Sequence, residues 1–136
     1  MESYVIEKAA ELGISDKVLF AGFLGPEDVE RAYKMADIYV MPSVSEPFGI
    51  TALEAMKSGI PVIVSKSSGV SEVITHCLKV DFWDVDEMSN KIIALLRYGS
   101  LHDALKQNGH HEVLKFTWDV PADKCIKVYN EVLKKW

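Results

Sequence analysis

The chain has 136 residues, of which 49% are apolar and 26% charged, and a formal net charge of -5 at pH 7. That length suits one domain with its own core, and the acidic balance argues against a nucleic-acid partner, whose phosphates need clustered Lys and Arg. No apolar run approaches the ~20 residues of a membrane span, no basic-then-apolar leader opens the chain, and Cys77 and Cys125 suggest neither a disulfide framework nor a metal cluster. Both thiols are expected to be buried and free in a reducing, cytoplasmic setting.

In chain order the pattern alternates helix and strand. Glu2–Leu12 is amphipathic, with Val5, Ala9 and Leu12 on one side and Gly13 as its stop. Val18–Phe23 (VLFAGF) reads as a short apolar strand. Gly25-Pro26 opens a helix to about Ala36, with Pro in the first turn and Glu27 and Asp28 at its positive end. Strand Ile38–Met41 is closed by Pro42, and the loop Ser43–Gly49 leads into helix Ile50–Ser58, capped by Gly59. Pro61–Ser65 is the next strand, followed by a Ser/Gly loop at Lys66–Gly69, a short helix near Ser71–Ile74 and a weak strand Leu78–Val80. Helices near Asp86–Tyr98, Leu101–Leu114 and Asp119–Lys135 complete the chain. Continuous apolar strands alternating with helices predict an α/β domain with a parallel sheet buried on both faces.

The chemistry concentrates in residues 42–55, between a predicted parallel strand and a helix. Ligands of open α/β sheets bind at the carboxyl ends of strands. Pro47 and Gly49 shape a turn after which the amides of Gly49 to Thr51 lack helical partners, and such amides attract phosphate or sugar oxygens. Gly49 also lets a ligand approach the backbone. Glu46 and Glu54 bracket this turn. An ionised carboxylate accepts two hydrogen bonds at once, as from adjacent hydroxyls of a ribose or hexose. A plainer reading stands beside this one. Thr51-x-x-Glu54 matches a capping box, in which Glu54 only closes its own helix, and Glu46 is then a solvated loop acid.

Glu46 to Glu54, with Pro47-Phe48-Gly49 and Leu53 between, resembles the Glu-x7-Glu signature of retaining GT-B glycosyltransferases, family 4 above all. Residues 36–43 (ADIYVMPS) resemble the strand and loop before that signature, and residues 54–63 (EAMKSGIPVI) the helix and strand after it. Val18-Leu19-Phe20-Ala21-Gly22 is similar to the family's third strand, and Phe116-Thr117-Trp118 to the start of its final helix. The resemblance implies one partial Rossmann-like domain over residues 1–136, the donor-binding C-terminal domain of the GT-B fold without its first two strands. Glu46 would contact donor-sugar hydroxyls as the catalytic carboxylate, and Glu54 would hold the ribose. Phe48, Gly49, Ile50 and Thr51 would offer amides to sugar and phosphate, with Ser68 and Gly69 beside the donor. Ser68-Gly69 stands where the family usually has Gly-Gly. Glu72, just after, is expected to be a structural hydrogen-bond partner.

No cofactor is implied; the nucleotide-diphosphate sugar is a substrate. Asp84-Val85-Asp86 imitates a metal-binding Asp-x-Asp, but Asp84-x-x-Glu87 before a helix predicts a cap, and no metal is expected. His76, His102, His110 and His111 lack metal-ligand spacing. Lys134 and Lys135 beside Trp136 offer at most a peripheral contact with an acidic membrane, and equally suit a helix C-terminus. Nothing before Val18 resembles the family's basic diphosphate-gripping loop, so the chain is expected to be inactive alone and to need an N-terminal domain or another chain. In the implied strand order 3-2-1-4-5-6, two strands belong between Val18–Phe23 and Ile38–Met41, a gap of about 14 Å where neighbouring strands lie about 4.8 Å apart. Two outcomes are expected: Val18–Phe23 pairs directly with Ile38–Met41, or another chain, including a second copy, fills the exposed edge.

Overall fold

A computed structural model describes residues 2–134. Its centre is a three-stranded parallel sheet in the order β1 (Tyr39–Met41), β2 (Val62–Ser65), β3 (Leu78–Val80). Tyr39 aligns with Val62, and Ile63 with Leu78. Every residue of β2 is buried. Its alternation explains the layers: Val62 and Val64 join one apolar cluster and Ile63 the other. Burying each such side chain contributes about 1.5–3 kcal/mol.

The first cluster packs α3 (Ile50–Lys57) on the sheet through Ala52, Ala55 and Met56, with Val70, Ile74 and Val113. The second joins Ile63 and Val80 to Leu95 of α4 (Val85–Arg97). Helix α5 (Gly99–Val113) touches both α3 and α4. The sequence order thus becomes a sheet covered on both faces, the expected α/β class with a parallel sheet.

Local signals explain the boundaries. Helix α2 (Pro26–Met35) begins on Pro26. Helix α3 ends in a Schellman motif: Gly59 N–H donates to the Met56 carbonyl at 3.0 Å and Ile60 N–H to that of Ala55 at 3.1 Å. Asp84 caps α4, its Oδ1 accepting from Glu87 N–H at 2.9 Å, which is the role expected of the Asp-x-Asp imitation. The predicted short helix is a 3-10 turn placed slightly earlier, at Gly69–Glu72. A further 3-10 turn, Ser15–Lys17, follows α1 (Glu2–Glu11).

Val18–Phe23 is not a strand. It pairs with no strand among the described residues, so the direct pairing with residues 38–41 does not occur. Leu19 is 92% and Phe23 98% exposed. Apolar composition made a strand of this segment, but a strand needs a neighbour to take its hydrogen bonds, and none lies beside it. Helix α6 (Asp119–Leu133) buries no residue, and Ile126, Val128 and Tyr129 are exposed. Its expected end at Lys135, like Trp136, lies outside the described residues. Cys77 is buried, as expected, with burial first among the causes pushing its thiol up to about 11. Cys125 corrects the other half of that expectation: it is exposed, on helix α6, which buries none of its described residues.

Candidate donor-binding site

Strand β1 ends at Met41, and the following loop returns to α3 through Gly49. Gly49 has φ +101°, a region that side-chain-bearing residues avoid, and it is packed against Met41, Val70 and the Glu46 side chain. This bend starts α3 with its first amides pointing out of the helix. Ala52 N–H turns back to the Gly49 carbonyl at 3.1 Å, while no backbone acceptor serves Gly49, Ile50 or Thr51 N–H among the described residues. Unpaired amides and the helix dipole together favour an anion or a hydroxyl oxygen here.

The capping-box reading of Thr51 and Glu54 does not hold, because no side chain caps α3. Thr51 Oγ1 instead accepts from Tyr39 hydroxyl at 2.8 Å and lies 3.8 Å from Met41 Sδ. Glu54 is exposed, and one of its oxygens lies 3.4 Å from Tyr33 hydroxyl. Freed from capping, its carboxylate is available as an acceptor.

The loop after β2 is stitched to the signature loop. Gly69 N–H donates to the Glu46 carbonyl at 3.0 Å and Val70 N–H to the Phe48 carbonyl at 2.6 Å, and Glu46 and Ser68 form a parallel bridge. Glycine is required at 69: an added Cβ would fall on the Pro47 carbonyl oxygen and lie 3.1 Å from Phe48 Cα. Ser68 is buried and donates to the Ser65 carbonyl at 2.6 Å. The Gly69 amide and the Ser68 hydroxyl are thus already engaged within the protein. Glu72 is exposed and its carboxylate makes no hydrogen bond among the described residues, contrary to the structural role expected of it. It lies on the outer side of the 3-10 turn, whereas the buried Ser71 beside it donates to the Lys66 carbonyl at 2.9 Å.

Two recesses flank α3, and Glu54 lines both. The larger, about 730 Å³, runs between α3 and the start of α6 and includes Phe48, Ile50, Phe116 and Trp118. Its lining is mainly apolar, poorly matched to sugar hydroxyls. The smaller, about 510 Å³, lies between α2 and α3, where Tyr33, Glu30 and Ser58 join Glu54. Glu46, Gly49, Thr51, Ser68 and Gly69 line neither recess. The structure therefore gathers Glu54, Phe48 and Ile50 at one cleft and leaves Glu46, half-buried, on the stitched loops. Tyr33 and Tyr39 were missed in the sequence; the only signal was an aromatic pair six positions apart just before the signature.

Glu112 and the histidines make structural contacts. Glu112, with its side chain 12% exposed, accepts from Thr75 N–H and His76 N–H, each at 2.8 Å, and its Oε2 lies 3.0 Å from His76 Nδ1. Burial alone would raise its carboxyl, but these donors and the His76 ring hold it below the ordinary value. His102, His110 and His111 each place a ring nitrogen on a backbone carbonyl. Among the described residues no group of three or more His, Cys, Asp or Glu could hold a metal ion, and no helix is long and apolar enough to cross a membrane.

The family profile of glycosyl transferases group 1 matches residues 1–112. This chain belongs to that family. Over 135 residues it is 35% identical to an uncharacterized glycosyltransferase of Methanocaldococcus jannaschii, covering 96% of this chain and 34% of that protein. It superposes on the sucrose-phosphate synthase of Thermosynechococcus elongatus with a TM-score of 0.85 and 29% identity, over 97% of this chain and 34% of that one. A protein of Anabaena in complex with UDP-glucose shares the fold, with a TM-score of 0.82 and 22% identity over 98% of this chain and 36% of that one. The group 1 chain therefore spans about a third of the length of these relatives, and its sheet matches part of a GT-B glycosyltransferase.

Proposed function

We propose that this chain supplies part of the donor site of a retaining, family 4 hexosyltransferase that uses a nucleotide-diphosphate sugar and no metal or cofactor. The observation that carries the reading is the entry to α3: a left-handed Gly49, three unpaired amides, and Glu54 exposed one turn in rather than spent on a cap. In this reading Glu54 accepts the ribose hydroxyls from the polar recess between α2 and α3. Amides of Phe48, Gly49, Ile50 and Thr51 take sugar and phosphate oxygens. Glu46 orients the hexose as the catalytic carboxylate. Ser68 and Gly69 act by holding the Glu46 loop in place. Fixed amide donors aimed at the leaving diphosphate would stabilise the charge that develops as the glycosidic bond breaks. The UDP-glucose complex of the Anabaena protein supports a nucleotide sugar as the ligand class. Polypeptide beyond this chain, an N-terminal domain or another chain, would provide the diphosphate-gripping cations and the saccharide or lipid-linked acceptor. The setting is cytoplasmic, and residues 1–136 alone are inactive.

One observation favours a second reading, a non-catalytic nucleotide-sugar-binding or partner module. Lys66, which opens the loop carrying Ser68 and Gly69, is paired with Asp81 at 2.7 Å, so the cation of that loop is already engaged. Isothermal titration with UDP-glucose, other nucleotide sugars and free nucleotides tests the site. Glu54→Ala should weaken nucleotide and donor alike by about 10-fold or more, the size of a lost hydrogen bond to a charged group. Glu46→Ala should weaken donor more than free nucleotide. Equal losses from both variants overturn the division of roles, and sugar transfer by the chain alone overturns its dependence on other segments.

A further inference from the structure

Glu54 depends on a residue 21 positions earlier in the chain. The Tyr33 hydroxyl, on α2, lies 3.2 Å from the Thr51 carbonyl and 3.4 Å from Glu54 Oε2. Among the described residues no other donor lies within hydrogen-bond distance of that carboxylate, although Lys34 and Lys57 line the same recess. The ring is itself held: it stands edge-on to Tyr39 with centroids 5.9 Å apart, packs on the apolar cluster beneath α3, and is half-buried. Tyr39 in turn donates to Thr51 Oγ1 at 2.8 Å. Two tyrosines from different elements thus converge on the first turn of α3. Tyr33 reaches the carboxylate, and Tyr39 reaches Thr51, the second residue of the helix.

The chemistry of a glutamate makes this useful. Its side chain has several rotatable bonds, and a free carboxylate samples many positions. A neutral hydroxyl can donate one proton to one oxygen while leaving the other oxygen open. Burial, then the neighbouring Tyr39 and Glu54, push the Tyr33 hydroxyl up to about 12, so it keeps its proton at neutral pH.

We propose that Tyr33 is a positioning residue: its hydroxyl fixes one oxygen of Glu54 so that the other faces the recess between α2 and α3 and accepts a ligand's vicinal hydroxyls. This deepens the donor-site reading and rests on it. Tyr33 touches no reacting atom in this scheme.

Tyr33→Phe, made in the full chain, removes only the hydroxyl. Side-chain scalar couplings of Glu54, measured by NMR without ligand, should show one rotamer in the parent chain and averaging in Tyr33→Phe, with Tm nearly unchanged. UDP binding should weaken about fivefold, the scale of one neutral hydrogen bond. The same substitution in a Glu54→Ala background, which has no side-chain acceptor for the hydroxyl, should add no comparable loss. Unaltered Glu54 couplings, or an equal fivefold loss in the Glu54→Ala background, overturn the role given to Tyr33. Absence of UDP binding by the parent chain sinks the donor reading and with it the purpose assigned to Tyr33. Intact binding with unaltered couplings sinks Tyr33 alone.

Discussion

The paired loops at residues 42–49 and 66–70 and the segment at residues 18–24 all connect elements of an α/β fold, yet they are built in opposite ways. The first are stitched: Gly69 and Val70 donate to Glu46 and Phe48, the buried Ser68 donates to Ser65, and Val70 fills the space under Gly49. The second carries Leu19, Phe20 and Phe23 exposed, with no strand beside it. Both are rich in apolar residues, so composition does not separate them. What separates them is whether backbone polar groups find partners, since an apolar side chain gains from burial only where the main chain beside it is also satisfied.

The contrast is broken most directly at Gly69. Gly69→Ala drives a methyl into the Pro47 carbonyl and should cost about 3 kcal/mol in urea unfolding, the upper range for forced overpacking. A loss below about 1 kcal/mol would show that the two loops part easily. A middle-sized effect belongs to Glu112, which ties the Thr75–His76 turn to α5. Its carboxyl is held below the ordinary 4.5, so the stability it contributes is present above that value and is lost as pH falls through the lower folded value. Glu112→Gln should therefore cost about 1–2 kcal/mol at pH 7 and flatten the acid limb below the ordinary carboxyl value of 4.5, as followed by thermal unfolding across pH. An acid limb identical to that of the parent would remove Glu112 from the account. The smallest effect is expected at Phe23→Ser, within about 0.5 kcal/mol, because the side chain is 98% exposed. A large loss there would mean that the segment is covered in solution by a second copy, and the concentration dependence of Tm would report it.

Much of the fold could be read from local signals. Pro26 at a helix start, Gly59 after a helix and the apolar run Val62-Ile63-Val64 each fix an element through nearby chemistry, and all three elements are present. Val18–Phe23 failed because strand identity is a property of pairs, and among the described residues no strand lies beside it. The site divides in the same way. The Gly49 turn and its unpaired amides were legible from Pro47, Gly49 and the helix that follows. Thr51-x-x-Glu54 was ambiguous, and the capping alternative fell only when Tyr39 and Tyr33 were found on those two side chains. Such partners lie 12 and 21 residues away, beyond the reach of any local pattern. The Glu112 contact with His76 spans 36 residues and was hidden for the same reason.

The parallel bridge between Glu46 and Ser68 ties two crossover loops into one body. Their lengths are consequently coupled, since an insertion in one would slip its hydrogen bonds past the other and push a Cβ-bearing neighbour against the Pro47 carbonyl. Anyone transplanting a different loop onto this scaffold would have to move residues 43–49 and 66–70 together, as a matched cassette, and a graft of either alone should express as a poorly folded chimera.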